Sequence, residues 1–241
     1  MTVFLDLDGT LSDPLPGVER CIRHALGRLG EDPPAGDLGW VIGPPLIESF
    51  ARLGVRDPER ALQLYREEYG DGGLFENRLY EGISQALEAL CARGYRLVLV
   101  TGKAHVFARR ITEHFGLSKW LDDQFGPELD GARNDKADLL AHALQITGAD
   151  PLRSVMVGDR RHDFRAAASV GMAAIAVAWG YGNAREFAMA DAICPAPSGL
   201  CATVARVLPA GPASAGPASG GPRPDPRPDP RPGRRGPGAR R

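Results

Sequence analysis

The sequence is poor in cysteine and has no long apolar run. Its four cysteines are scattered, without a Cys-x-x-Cys pair or a Cys/His cluster at zinc spacing, which argues against a disulfide framework and a structural zinc site. No apolar run approaches the ~18 residues needed to cross a bilayer. Strand-like sequence from Val3 leaves no room for a signal segment. We therefore expect a cytoplasmic protein with reduced thiols and no membrane partner.

Net charge is also small, but it is distributed unevenly. The formal charge is −1 over 241 residues. Seven arginines and two aspartates from Pro209 onward give that segment +5, so the rest of the chain carries −6. An acidic body lacks the clustered Lys and Arg that bind nucleic-acid phosphates, so we expect no nucleic-acid partner.

Residues 209–241 contain almost no apolar side chains and repeat Pro-Arg-Pro-Asp. Such a segment cannot bury enough surface to offset its chain entropy, so we predict a disordered tail with polyproline character. A docking role toward an acidic or SH3-like partner and a solvated extension without a partner are both open. The second interpretation is favoured.

The sequence does have 43% hydrophobic residues, enough for a substantial core. Short apolar runs predict buried strands, and helix-like sequence follows them. The strands are predicted at 3–7, 96–100, 154–157 and 173–177, with helices at 103–115 and 161–169. This alternation predicts an α/β fold with a Rossmann-like, mostly parallel sheet and helices on both faces, and with working residues at the carboxyl ends of the strands.

Residues 16–79 interrupt this alternation with helical periodicity and no convincing strand. Helices are predicted at 18–29, 45–53 and 58–69, the last with Asp57 as N-cap and Pro58 at the first helical position. We therefore predict a core domain of residues 1–15 and 80–208, with 16–79 forming an inserted all-helical cap domain. The stiff turn at Gly43, Pro44 and Pro45 is interpreted either as a substrate loop over the pocket or as a plain connector.

Two aspartates lie one residue apart where the first predicted strand ends, in "VFLDLDGTLSD" (residues 3–13). Residues two apart on a strand point the same way, so we expect Asp6 and Asp8 to face one pocket while Leu7 packs away from it. Gly9 then permits a sharp change of backbone direction. By itself, such a pair is also typical of a solvated strand end.

Complementary side chains follow at the same edge of the predicted sheet. Thr101 ends "LVLVTGK", Lys136 opens a helix in "NDKADLL", and Asp159 ends "SVMVGD", with Asp163 four residues later. Two like charges ~4 Å apart repel by about 4 kcal/mol at an effective dielectric near 20, so these carboxylates need a cation or raised pKa values. Ligands that are all oxygen favour Mg²⁺. Taken singly, Lys136 could be solvated and Asp159 a helix cap; taken together, they favour a site for phosphate and a divalent cation.

The segments "FLDLDGTLSD", "LVTGK", "NDKAD" and "VGDRRHD", in this order and at these separations, resemble the four motifs of the haloacid dehalogenase superfamily of hydrolases. The helical insertion and "IGPPLIESF" resemble its phosphoglycolate phosphatase and 5'-nucleotidase-like branch. The resemblance covers residues 2–205. It implies a magnesium-dependent phosphatase acting on a small phosphorylated metabolite, with the insertion as a lid that selects the substrate.

The resemblance also implies residue roles. Asp6 would be the nucleophile that forms an aspartyl-phosphate, and Asp8 the general acid and then the base. Asp6, the backbone carbonyl of Asp8, and Asp159 would bind Mg²⁺, with Asp163 orienting those ligands.

The phosphate-binding residues implied by the resemblance are Thr101 and Lys136, which would hold the phosphoryl oxygens. The family usually has Asn or Ser after Thr101, whereas this chain has Gly102. Gly102 offers phosphate a backbone N–H but no side-chain donor. We interpret this as a change in affinity or substrate preference.

Three other functions are alternatives to a phosphatase. A haloacid dehalogenase is argued against by Asp8, because dehalogenases of this superfamily do not keep the second aspartate of the first motif. A phosphomutase remains open. A non-catalytic phospho-ligand-binding or scaffold protein that uses the tail for its partners is disfavoured, because every catalytic position is present.

Overall fold

The structure is a computed structural model that describes residues 1–32 and 34–208. The predicted disorder of 209–241 lies outside the described residues. The strands are β1 (Thr2–Leu5), β2 (Ser12–Asp13), β3 (Arg78–Leu79), β4 (Arg96–Val100), β5 (Asp123–Phe125), β6 (Ser154–Gly158), β7 (Ala173–Val177) and β8 (Ala192–Cys194). The helices are α1 (Leu15–Leu29), α2 (Leu46–Arg52), α3 (Pro58–Asp71), α4 (Ile83–Ala92), α5 (His105–His114), α6 (Lys136–Thr147), α7 (Arg161–Ser169), α8 (Ala184–Phe187) and α9 (Leu200–Val207).

Six strands form one parallel sheet in the order β5-β4-β1-β6-β7-β8. The register places Leu5 opposite both Leu99 and Val157. The residues that follow these positions therefore emerge at one edge of the sheet, its carboxyl edge, where parallel α/β sheets hold their ligands.

The central strands are apolar on both sides, because helices cover both faces of the sheet. Alternate residues of β1 belong to two separate cores: Val3 and Leu5 to one, and Phe4 to the other. The first core also includes residues of α1, α4, α5 and α9, and the second includes residues of α6 and α7. The predicted parallel sheet with helices on both faces is confirmed.

Strand β1 is shorter than predicted. It ends at Leu5, and the chain then turns, with the backbone N–H groups of residues 10, 11 and 12 donating to the carbonyl oxygen of Leu7. Leu7 is fully buried, as expected. Asp6 still donates its backbone N–H to the Val157 carbonyl oxygen at 3.0 Å, so the sheet hydrogen bonding extends to Asp6 and the turn begins at Leu7.

The predicted insertion contains α1, α2 and α3, and α1 packs against α3. The N-cap of α3 is Asp57, whose side chain accepts from the backbone N–H of Arg60 at 2.9 Å. The expectation of no strand was wrong at the end of this region, because β3 pairs antiparallel with β2 where the chain leaves and re-enters the core. A two-residue strand is too short to show alternation. The division into core and cap domains stays a prediction.

Within residues 1–32 and 34–208, none of the helices is both long enough and apolar enough to span a bilayer.

Candidate active site

A cavity of about 300 Å³ opens at the carboxyl edge of the sheet. Its lining includes the predicted site residues Asp6, Asp8, Thr101, Gly102, Lys136 and Asp163, together with Gly43, Pro44 and Pro45. Asp159 is not in the lining and is fully buried. Four separate chain segments of the core and one loop of the insertion therefore contribute to a single site.

Three carboxylates form a buried acidic cluster: Asp6, Asp159 and Asp163 each offer an oxygen within 4.8 Å of the others. The Nζ of Lys136 lies 2.9 Å from Asp6 Oδ1 and 2.8 Å from Asp163 Oδ1. Three negative charges and one positive charge leave a formal −2, which one divalent cation would cancel. All three donors are carboxylate oxygens, the ligands that Mg²⁺ prefers. The cluster therefore fits the predicted metal.

Asp159 is held by the turn at Gly9 and by the loop after β7. Its Oδ2 accepts the backbone N–H of Tyr181 at 2.7 Å, and the Thr10 hydroxyl lies 3.4 Å from Oδ1. Burial, followed by the charges of Asp163 and Asp6, raises the pKa of Asp159 well above its usual value. Asp159 does not cap α7, whose N-cap is Arg160.

Lys136 is the first residue of α6, as predicted, and is placed there by Asp135. The Asp135 side chain caps the helix by accepting the N–H groups of Ala137 and Asp138. Burial alone would lower the pKa of Lys136, but the carboxylates of Asp163 and Asp6 outweigh burial and raise it. Lys136 therefore stays charged next to Asp6.

Asp163 lies on the first turn of α7 and joins the acidic cluster directly. Its carboxylate accepts the backbone N–H of Arg160 at 3.1 Å, in a capping arrangement. Burial raises its pKa to about 6, with Asp6 adding to the rise and Lys136 opposing it. The acidic cluster thus has three buried carboxylates for one lysine, Lys136.

Asp8 faces the cavity apart from the acidic cluster, beside a lysine that sequence reasoning missed. The Nζ of Lys103 lies 2.8 Å from Asp8 Oδ2. Burial raises the pKa of Asp8, although Lys103 opposes the rise. A carboxyl group with a raised pKa is suited to general acid chemistry. The signal for Lys103 was its position two residues after Thr101, within a motif already singled out.

Thr101 and Gly102 follow β4 on the cavity wall. Thr101 is 1% exposed, and its Oγ1 accepts the backbone N–H of Lys103 at 3.2 Å. A Cβ on Gly102 would meet only the carbonyl oxygen of Gly43, at 3.9 Å. The structure thus has space for a side chain at residue 102, although glycine has none.

The loop of Gly43, Pro44 and Pro45 does line the cavity, and Arg160 holds it there. The Arg160 guanidinium donates to the carbonyl oxygen of Ile42 and lies 3.4 Å from the Glu186 carboxylate. Gly43 has φ +107°, and a Cβ there would lie 3.1 Å from the Arg160 side chain. Sequence analysis assigned no role to Arg160, because a charged residue in a loop is usually solvated.

Comparison with known proteins places these residues in a family. Residues 1–171 match the family model of haloacid dehalogenase-like hydrolases. The chain is 41% identical over 188 residues to a protein of Pseudomonas aeruginosa named 5'-nucleotidase, covering 76% of this chain and 85% of that protein. It is 31% identical over 187 residues to a Cupriavidus necator protein named phosphoglycolate phosphatase, covering 74% and 81%.

Another relative is named as a kinase and not as a phosphatase or nucleotidase. The chain is 42% identical over 184 residues to a Mycobacterium tuberculosis protein named tyrosine-protein kinase PtkA, covering 76% of this chain but only 63% of that protein. Among solved structures, a predicted phosphatase from Clostridium acetobutylicum superposes with a TM-score of 0.79 at 31% identity, covering 85% of this chain and 98% of that one. The family match, the parallel sheet and the convergent motifs give one conclusion: the chain belongs to the haloacid dehalogenase-like hydrolases.

Proposed function

We propose that this protein is a magnesium-dependent phosphatase that hydrolyses a small phosphomonoester through an aspartyl-phosphate on Asp6. One observation carries the proposal. Asp6 belongs to the acidic cluster and also lines the cavity, as do Thr101 and Lys136. A phosphoryl group at this position would meet a nucleophile, a hydroxyl and an ammonium at once.

In the proposed reaction, a carboxylate oxygen of Asp6 attacks phosphorus, and the bond from phosphorus to the leaving-group oxygen breaks. The Asp8 carboxyl gives its proton to that oxygen. Asp8 then takes a proton from water as the water attacks the same phosphorus, and the bond from phosphorus to the Asp6 oxygen breaks, which releases inorganic phosphate and restores the Asp6 carboxylate. Lys136 and Thr101 stabilise the charge on the phosphoryl oxygens in both steps.

The residues that would hold Mg²⁺ are Asp6, Asp159 and the backbone carbonyl of Asp8, with Asp163 orienting them. When bound, the cation supplies positive charge that offsets the carboxylates and the transferring phosphoryl group. The remaining steps belong to the chain's own side chains. Lys136 contacts Asp6 and Asp163 together, and so fixes the nucleophile even before substrate arrives.

For the substrate, we propose a phosphoglycolate-like compound or a nucleoside monophosphate, since relatives carry both kinds of name. The loop of Gly43, Pro44 and Pro45 would contact the leaving group, because it forms part of the cavity wall. The proposal includes a cytoplasmic setting and no nucleic-acid or membrane partner, as expected from the composition. It assigns no partner to residues 209–241.

The test is phosphate release from a panel of phosphomonoesters, with Mg²⁺ or with EDTA. We expect release that needs Mg²⁺ and is absent in Asp6→Asn, which keeps the shape of the side chain but not its nucleophilic charge. Glucose phosphates in the panel identify a phosphomutase, which would return an isomeric sugar phosphate and little free phosphate. A metal-loaded wild-type protein that leaves the whole panel intact would contradict the proposal.

A second candidate is phosphoryl transfer from a nucleoside triphosphate to a tyrosine hydroxyl. Similarity to the relative named tyrosine-protein kinase favours it, although the chain spans less than two thirds of that relative. Incubation with γ-³²P-labelled ATP distinguishes the two functions. Acid-stable label on tyrosine indicates a kinase, whereas label that is lost in hydroxylamine indicates an aspartyl-phosphate.

A further inference from the structure

We propose that Lys103 is a positioning residue, which together with Tyr69 holds the Asp8 carboxylate in one orientation toward the leaving group. The inference rests on the proposed function of Asp8 as a proton donor. It concerns two residues to which neither sequence motifs nor comparisons gave a role.

Lys103 is almost fully buried, and its ammonium has two polar contacts. The Nζ lies 2.8 Å from Asp8 Oδ2 and 2.5 Å from the Tyr69 hydroxyl oxygen. It also lies 4.5 Å from the centroid of the Tyr69 ring, within range of a cation–π interaction. Burial of a lysine costs desolvation free energy and side-chain entropy, and contacts with buried polar groups must offset that cost. These contacts hold the Lys103 ammonium in one orientation.

The two oxygens of the Asp8 carboxylate have different surroundings. Oδ2 contacts Lys103, whereas Oδ1 is buried and has no hydrogen-bond partner in the described part of the chain. Asp8 lines the cavity. A buried carboxylate oxygen without a partner is costly unless a ligand or water completes it. We therefore infer that Lys103 prevents the Asp8 carboxylate from rotating, and so fixes how Asp8 meets the leaving group.

The Tyr69 hydroxyl belongs to α3 of the helical insertion, whereas Lys103 and Asp8 belong to loops of the core. Tyr69 is itself held rigidly, because its ring stacks on Tyr65 at 5.2 Å and meets Phe107 edge-on at 5.4 Å. The insertion thus supplies Tyr69, whose hydroxyl contacts Lys103, and Lys103 in turn contacts the proposed proton donor, Asp8.

Leaving-group chemistry gives a test that a merely structural role would not satisfy. Alkyl phosphates have strongly basic leaving groups and need the proton, whereas the p-nitrophenolate of p-nitrophenyl phosphate leaves without it. The relevant quantity is kcat/KM, because it reports only the steps up to loss of the leaving group. General acid catalysis accelerates a reaction by about 10²- to 10⁴-fold. We therefore expect Lys103→Met to lower kcat/KM for glycerol phosphate by roughly 10²-fold. The decrease in kcat/KM for p-nitrophenyl phosphate should be much smaller.

Two further variants and two controls complete the design. Lys103→Arg keeps a cation that can reach Asp8, and it is expected to recover part of the glycerol phosphate rate. Tyr69→Phe keeps the ring packing and removes the hydroxyl, so it should show the same selective loss in weaker form. Lys119→Met, at an exposed lysine, and Tyr95→Phe, at a buried tyrosine whose hydroxyl donates to Leu208, are the matched controls.

The outcomes separate this inference from the proposed function. If the wild type hydrolyses both substrates but the Lys103 and Tyr69 variants lose equal factors on both, the positioning role is wrong and the phosphatase proposal stands. If the metal-loaded wild type hydrolyses neither of these two substrates nor any other phosphomonoester of the panel, both proposals fail. Circular dichroism shows whether Lys103→Met folds. If it does not, Tyr69→Phe and Lys103→Arg test the positioning role by the same quantity, the ratio of kcat/KM for glycerol phosphate to kcat/KM for p-nitrophenyl phosphate.

Discussion

The guanidinium of Arg160 donates to the backbone carbonyl oxygen of Ile42, so a residue of the loop after β6 fixes the residue that immediately precedes the loop of Gly43, Pro44 and Pro45. Arg160 is 8% exposed and lies 3.4 Å from the Glu186 carboxylate. A buried cation of this kind is stable only with its partners in place. This part of the cavity wall therefore depends on the side chain of Arg160, which is remote from it in sequence.

Arg160→Met should weaken substrate binding more than turnover. Loss of one charge-assisted hydrogen bond corresponds to roughly a tenfold rise in KM, and the free energy of unfolding should fall by about 1–3 kcal/mol, because Glu186 loses the nearer of its two cations and keeps only Arg161 at 3.9 Å. Steady-state kinetics and urea unfolding measure the two effects. Arg153→Met, at an exposed arginine, is the matched control. An unchanged KM would show that Arg160 does not control the loop.

Gly9→Ala should disable the acidic cluster. Gly9 has φ +80°, and a Cβ there would lie 2.3 Å from Asp159 Oδ2. The residue must then strain its backbone or displace Asp159, and displacement of this order lowers turnover by about 10²-fold. Phosphate release with saturating Mg²⁺ is the measurement.

The control for Gly9→Ala is Gly27→Ala, at a helical glycine of α1 where a Cβ would meet nothing within 4 Å. This substitution should raise the free energy of unfolding by about 0.5–1 kcal/mol and leave phosphate release unchanged. Equal activity of the two alanine variants would mean that the close approach of Gly9 to Asp159 is not needed.

The strands that the sequence predicted are those buried on both faces. Strands β4, β6 and β7 are runs of Val, Leu, Ile, Met and Ala because helices cover both sides of them. The two edge strands were missed: β5 has only half-buried residues, and β8 mixes buried and exposed ones over three positions. A strand that is short and partly solvated has no periodicity to detect.

The residues of the candidate site also fall into two groups, those that the sequence could predict and those that it could not. Asp6, Asp8, Lys136 and Asp163 were predictable because each follows or begins an element with a strong pattern. Lys103 and Arg160 were not, because their burial depends on Tyr69 and Glu186, which are remote in sequence. Local sequence shows that a charge is present, but only the tertiary fold shows whether water or a buried partner surrounds it.

Asp159→Asn should stabilise the metal-free protein at neutral pH. The pKa of Asp159 is raised in the folded state by burial and by Asp163 and Asp6. A raised folded-state pKa means that the stability linked to Asp159 is complete below roughly pH 3.9 and is lost as pH rises through the folded value, at about 1.4 kcal/mol per pKa unit. Asparagine has no such loss and can still accept the Tyr181 N–H.

Thermal unfolding in EDTA checks this expectation. The two proteins should have similar melting temperatures near pH 4, and the variant should melt higher at pH 7.5. Mg²⁺ should reverse the order at pH 7.5, because it stabilises only the protein with the full acidic cluster. A wild type that melts above Asp159→Asn in EDTA at pH 7.5 would show that the cluster is not electrostatically strained.

Gly102→Ser should bind phosphate more tightly than Gly102→Ala. Both side chains fit, because a Cβ at residue 102 meets only the Gly43 carbonyl oxygen at 3.9 Å. They differ in one hydroxyl, which is placed beside Thr101 on the cavity wall and can donate to a phosphoryl oxygen. A hydrogen bond to a charged group contributes about 1.5–3 kcal/mol, so the inhibition constant for inorganic phosphate should be at least tenfold lower for serine. Equal constants for the two variants would indicate that residue 102 points away from the phosphate, and that its backbone N–H is then the only donor it offers.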